Sequence, residues 1–90
     1  MVKCVVVKLT GKIQGVFFRD FAKQNANKLG LVGHAKNLNN GSLEIIAQGD
    51  ESKLKRFLDL MRSGPMTAKV EGFDVSYIDF DPERVFFDIR

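Results

Sequence analysis

The order in which strand-like and helix-like patterns follow one another along these 90 residues constrains the fold most. β-branched residues over 3–10 predict a first strand, and apolar residues at helical spacing then predict a helix that ends at Gly30. Two strands over 31–37 and 43–47 follow. The Asn-Asn-Gly turn at 39–41 joins them as a hairpin, because Asn and Gly tolerate the positive φ angles that such turns need.

The second half of the chain predicts another helix and one or two strands. Asp50 is a good N-cap for a helix whose apolar stripe is Leu54, Phe57, Leu58 and Met61, and Gly64-Pro65 ends it. Alternating residues over 73–77 predict a strand, and a turn at 81–83 leads to a last strand over 85–89. The order β-α-β-β-α-β therefore predicts an α+β, ferredoxin-like fold, in which two helices pack on one face of an antiparallel sheet.

Length and composition narrow the class of protein. Ninety residues are enough for one domain, so we expect residues 1–90 to form a single unit. The longest apolar run covers only residues 4–7, far short of the roughly 18 residues of a membrane span. The single cysteine, Cys4, cannot form an internal disulfide, and no Cys/His cluster is spaced to hold a metal. We therefore expect a cytoplasmic protein without a metal or other cofactor.

Charge is unevenly distributed along the chain. Residues 1–45 hold seven Lys and Arg residues against two acidic ones, whereas residues 46–90 hold seven against nine. The basic half suggests an anionic partner, such as a phosphorylated metabolite, a nucleic acid or a membrane surface. The alternative is that these cations are only the solvated edges of strands and helices, since clustering in sequence is not clustering in space.

The segment GKIQGVFFR at residues 11–19 runs from a loop into the start of the first helix. Free backbone N–H groups and the positive end of the helix dipole favour an anion at such a junction. Gly15 permits close approach of a ligand, and the planar guanidinium of Arg19 can bind two phosphate oxygens together. The competing interpretation is a tight turn followed by a solvated arginine.

These residues resemble the acylphosphatase signature, Gly-x-Val-Gln-Gly-Val-x-Phe-Arg. A second block, LGLVGHAKN at 29–37 followed by NGSLE at 40–44, is similar to the second motif of that family, which ends in a functional Asn. The resemblance covers nearly the whole chain. His34 stands where the family most often has an aromatic residue, and Phe17 replaces a frequent Gly.

The resemblance implies hydrolysis of acyl phosphates to a carboxylate and inorganic phosphate, without metal or covalent intermediate. Arg19 would bind the phosphoryl group, Asn37 would position the attacking water, and the substrate's own phosphate would take the water's proton. Ser42 would brace Asn37 or the water. A monomer acting on a small molecule, with no nucleic acid or membrane partner, is expected. The implied phosphate-binding residues are Gly15, Val16, Phe17, Phe18 and Arg19.

Two other functions share parts of the pattern. An RNA-recognition module has the same order of elements, and residues 14–21 match its RNP1 motif in part. That motif belongs on the third strand, however, where residues 43–47 carry no aromatic side chain to stack on a base. The other alternative is a family member that binds an anion without catalysis.

Cys4 is interpreted as a core residue rather than a nucleophile, and His34 as a partly buried group rather than a base.

Overall fold

A computed structural model describes residues 1–90 and places two helices against one face of a five-stranded sheet. Across the sheet the strand order is β4-β1-β3-β2-β5. Neither helix of the protein combines the length and the apolar character needed to cross a membrane. The strands are β1 (Val2–Lys12), β2 (Val32–Asn37), β3 (Leu43–Asp50), β4 (Lys69–Ile78) and β5 (Phe87–Ile89), and the helices are α1 (Phe18–Lys28) and α2 (Glu51–Ser63).

The sheet is mixed rather than purely antiparallel as the sequence predicted. β1 pairs antiparallel with β3 and β4, and β2 pairs antiparallel with β3. β5 instead pairs parallel with β2, with Ala35 opposite Ile89. The difference arises because β4 and β5 lie at opposite edges, so residues 79–86 cross the sheet before the chain enters β5.

The hydrophobic core lies between the sheet and the two helices. Alternate residues of the central strands point towards the helices, as the period of two in a strand requires, and each fully buried aliphatic or aromatic side chain contributes about 1.5–3 kcal/mol. Helix α1 supplies one phenylalanine and two alanines, whereas α2 supplies three large side chains. The core includes Val5, Val7, Leu9, Leu43, Ile45 and Ala47 from the strands, and Phe18, Ala22, Ala26, Leu54, Phe57 and Met61 from the helices.

The predicted start of α2 is confirmed. The side chain of Asp50 accepts a hydrogen bond from the backbone N–H of Ser52 at 3.2 Å, and the N-terminal ammonium group lies 3.3 Å from the same carboxyl group. Hydrogen bonds from the Ser52 side chain and then from the N-terminus lower the pKa of Asp50. The ionised carboxylate thus complements the positive end of α2.

The 79–86 segment is attached to the face of the sheet that the helices leave uncovered. Gln48, only 3% exposed, donates from Nε2 to the carbonyl of Asp81 at 2.8 Å and accepts from the Asp81 amide at 2.9 Å. Arg84 donates to Gln48 Oε1 at 3.2 Å, and its guanidinium also lies 3.7 Å from Cys4 Sγ. Burial raises the pKa of the Cys4 thiol, although the charge of Arg84 opposes this shift. Cys4 is therefore a buried thiol, as expected.

Candidate active site

A cavity of about 330 Å³ opens where four parts of the chain meet: the loop after β1, the first turn of α1, the end of β2 and the end of β5. Its walls combine apolar side chains with one cation, one carboxylate and one carboxamide. The lining residues are Ile13, Gly15, Phe17, Phe18, Arg19, Asp20, Asn37 and Ile89. Segments from both halves of the sequence therefore build this cavity.

The loop reaches the helix through two residues with positive φ. Gly15 has φ 74° and Phe17 has φ 59°, and this turns the chain so that α1 begins at Phe18. The first helical hydrogen bond runs from the Phe21 amide to the Phe17 carbonyl at 3.0 Å. Amides that precede this bond lack a helical acceptor, so they are available to an anion at the positive end of the helix dipole.

Arg19 lies in the first turn of α1, and a hydrogen bond to the residue that follows β5 orients its side chain. Its Nη1 donates to the backbone carbonyl of Arg90 at 2.8 Å. A guanidinium carries five N–H donors in a planar fork, so this contact leaves most of them available to a ligand. The sequence did not indicate Arg90, because a backbone carbonyl 71 positions away has no side-chain signature.

Asn37 is the last residue of β2 and lies opposite Leu43 of β3. Its carboxamide lines the cavity and makes no hydrogen bond to another group of the protein. Both the N–H donors and the oxygen acceptor of this side chain are therefore available to a ligand or a water molecule. The structure thus brings Asn37 and Arg19 to one cavity from separate motifs of the sequence.

Gln14 joins the loop to the β2–β3 turn. Its Nε2 donates to the carbonyls of Leu38 at 3.0 Å and Ser42 at 2.9 Å. Leu38 follows Asn37 directly, so the two hydrogen bonds fix the loop that carries Gly15 relative to the end of β2. The sequence analysis did not single out Gln14 by itself, although a glutamine between loop glycines is the kind of residue that bridges backbone carbonyls.

Replacing Gln14 with leucine is expected to lower the free energy of unfolding by about 1–3 kcal/mol, because two carbonyls lose their donor at similar side-chain volume. The loop also loses its connection to the Asn37 turn, so kcat/KM for an acyl phosphate, the substrate that the sequence resemblance implies, should fall as well. Urea denaturation and steady-state kinetics measure the two effects. Gln24→Leu, on the exposed side of α1, is the matched control. Equal stability and equal kcat/KM in Gln14→Leu and the unchanged protein would contradict this role.

Three residues named from the sequence lie outside the lining of the cavity. Val16 is in the loop, but its carbonyl accepts a hydrogen bond from the Thr67 hydroxyl at 3.4 Å. The Ser42 hydroxyl donates to Asn40 Oδ1 at 2.5 Å, and none of the hydrogen bonds of Ser42 reaches Asn37. His34 is on the opposite face of the sheet, where its Nε2 lies 3.0 Å from Glu44 Oε2.

Fold and site together define a small ferredoxin-like protein in which a glycine-containing loop leads into a helix N-terminus, a junction suited to an anion. The acylphosphatase family model matches residues 5–89. An acylphosphatase of Dehalococcoides mccartyi strain CBDB1 is 49% identical over 75 residues, which is 82% of each chain. The solved acylphosphatase structure from Coxiella burnetii has a TM-score of 0.93 at 31% identity and covers 99% of this chain and 93% of that one.

The Bacillus subtilis acylphosphatase structure, also 31% identical, covers 100% of this chain and 99% of that one with a TM-score of 0.91. The chain therefore belongs to the acylphosphatase family, and its activity is the hydrolysis of acyl phosphates. The resemblance noted in the two sequence motifs is confirmed.

Proposed function

We propose that residues 1–90 act as one domain that hydrolyses the carboxyl–phosphate bond of small acyl phosphates by direct attack of water, without metal or covalent intermediate. One observation carries the proposal. The cavity combines a guanidinium, free helix amides and an unpartnered carboxamide, but among its lining residues there is no serine, cysteine or histidine. Binding and orientation of substrate and water are the functions for which this set of side chains is suited.

In the first step the phosphoryl group enters the loop. Amides from Gly15 to Arg19 and the guanidinium of Arg19 hold its oxygens, and they neutralise part of the dianionic charge. The hydrogen bond from Arg19 to the Arg90 carbonyl favours one orientation of the guanidinium before the substrate arrives, which reduces the side-chain entropy lost on binding. The acyl group then extends from the loop towards the mouth of the cavity.

In the second step Asn37 orients a water molecule in line with the bond to the acyl oxygen. The water oxygen attacks phosphorus while the phosphorus–oxygen bond to the acyl group breaks, and the carboxylate leaves with the electron pair. A phosphate oxygen takes the proton of the water, so the products are a carboxylate and inorganic phosphate. A carboxylate is a good leaving group, so positioning and charge stabilisation can supply the catalysis.

Asp20 is the rival to this scheme, because it is the only carboxylate that lines the cavity. Removing a general base typically costs about 10²–10⁴-fold in rate and removing a nucleophile costs more, whereas we expect Asp20→Asn to change kcat by less than about threefold. The assay is hydrolysis of benzoyl phosphate in the presence of a chelator, run in ¹⁸O-labelled water. The label should appear in phosphate and not in benzoate. Loss of activity in Asp20→Asn, or with the chelator, would contradict direct attack by unassisted water.

Several features support a small-molecule substrate over a nucleic acid. On the face of the sheet that the helices leave uncovered, the central strands β1 and β3 offer no aromatic side chain on which a base could stack. The residues of β1 on this face are Cys4, Val6 and Lys8, and they pair with Gln48, Ile46 and Glu44 of β3. The 79–86 segment also occupies part of this face. Arg19 and Asn37 belong to the same chain, so the proposed reaction needs no residue of a second copy, and the free Cys4 thiol fits a reducing, cytoplasmic location.

A further inference from the structure

Phe17 is the one residue other than glycine with a positive φ, at φ 59° and ψ 27°. Left-handed backbone is unfavourable for a side chain that has a Cβ, and most of all for a bulky one. Phe17 as a whole is nevertheless 80% exposed, so burial in the core does not compensate for this strain. A glycine would fit the same backbone better, and the stability of the fold therefore does not explain a phenylalanine at this position.

The position of the ring indicates what it contacts. Phe17 lines the cavity together with Ile13, Phe18 and Ile89. Ile13 and Phe18 are each only 1% exposed and belong to the core, so they can offer a ligand little more than their edges. Phe17 and the partly buried Ile89 remain as the apolar side chains accessible from solvent at this cavity.

We propose that Phe17 is a specificity-determining residue that packs against the acyl group of the substrate, and that this enzyme prefers aromatic acyl phosphates to acetyl phosphate. The inference rests on the proposed function, because it places the phosphoryl group on the loop amides that include that of Phe17. A substrate held there projects its acyl group beside the ring of the same residue. The left-handed backbone then orients the ring towards the acyl group. The acyl group of the substrate provides the apolar contact that the ring does not make within the protein.

The contact acts on the acyl group and not on the phosphoryl group. The ratio of kcat/KM for two substrates that differ only in the acyl group therefore isolates its effect. We expect the ratio of kcat/KM for benzoyl phosphate to that for acetyl phosphate to fall about three- to tenfold in Phe17→Gly, as for the loss of one aromatic pair. Any general effect of the substitution on the loop alters both substrates and cancels in the ratio. Phe17→Tyr keeps the ring and should keep the ratio.

Phe80→Ala is the matched control, because Phe80 is another exposed phenylalanine, at 52%, and does not line the cavity. Its ratio should equal that of the unchanged protein. An unchanged ratio in Phe17→Gly would overturn the proposal. So would a substantially lower Tm in Phe17→Gly, because that result would assign the ring to the fold instead.

Binding of non-hydrolysable phosphonates separates this inference from the proposed function. Isothermal titration with phenylphosphonate and methylphosphonate gives the same comparison without turnover. If the protein lacks acyl phosphate hydrolysis but prefers phenylphosphonate through Phe17, the proposed function fails and the recognition of an aromatic group by Phe17 stands. If hydrolysis occurs but neither ratio depends on Phe17, the proposed function stands and the inference about Phe17 is wrong.

Discussion

Replacing Arg19 with alanine is expected to lower kcat/KM for benzoyl phosphate by at least about 10²–10³-fold, the cost of removing one preorganised donor from a charged transition state. The loss should exceed that of a single donor, because Arg19 also binds the phosphoryl group in the ground state. Inhibition by inorganic phosphate should weaken in parallel, since the product and the substrate both bind the guanidinium of Arg19. Steady-state kinetics with phosphate as a competitive inhibitor measure both effects.

Lysine at this position should fail as well. An ammonium group is a point charge without the planar fork, so it cannot both bind two phosphate oxygens and keep the contact with the Arg90 carbonyl. Arg56→Ala, on the exposed side of α2, removes the same charge elsewhere and is the matched control. An Arg19→Ala variant with the kcat/KM of the Arg56→Ala control would contradict the assignment of Arg19.

Replacing Asn37 with alanine is expected to lower kcat by about 10²-fold or more while KM changes little, because the carboxamide orients water only for the chemical step. The substitution removes no hydrogen bond within the protein, since the Asn37 side chain makes none. The free energy of unfolding should therefore stay close to that of the unchanged protein. Rates at saturating benzoyl phosphate, together with urea denaturation, measure these quantities.

Two further variants sharpen the test of Asn37. Asn37→Asp keeps the shape of the side chain but adds a negative charge beside a dianionic substrate, so KM should rise in this variant as well as kcat fall. Asn27→Ala, on the exposed side of α1, is the control for loss of a surface carboxamide. A kcat for Asn37→Ala within the error of this control would remove Asn37 from the mechanism.

The sequence predicts those parts of the site whose chemistry lies in contiguous segments. Gly15 and Arg19 stand in one loop–helix junction, and Asn37 ends a strand just before a recognisable turn. The helices and the four longer strands were also predicted, because their patterns have clear periods and their ends carry Gly, Pro or Asp. The predicted third strand stopped at Ala47, whereas β3 continues to Asp50. The reason is that Gln48 is a buried polar residue on the outer face and interrupts the apolar pattern.

The remainder of the site depends on contacts that no local pattern encodes. Ile89 reaches the cavity, and the Arg90 carbonyl reaches Arg19, only because β5 pairs parallel with β2. That pairing follows from the path of the 79–86 segment. The anchor of that segment is a pair of hydrogen bonds between the Gln48 side chain and the backbone of Asp81. Because every residue carries the same backbone carbonyl, the sequence does not show which position accepts such a hydrogen bond.

We expect the three-residue strand β5 to couple the binding of an anion at Arg19 to completion of the sheet. When β5 is paired, Ile89 lines the cavity and the Arg90 carbonyl holds the guanidinium of Arg19. When it separates from β2, that guanidinium loses its anchor, and the apparent affinity falls by the fraction of molecules in the paired state. By the same linkage a bound phosphate favours the paired state. We therefore expect a change at Gln48 or Arg84, on the far side of the sheet, to lower anion affinity without contacting the anion.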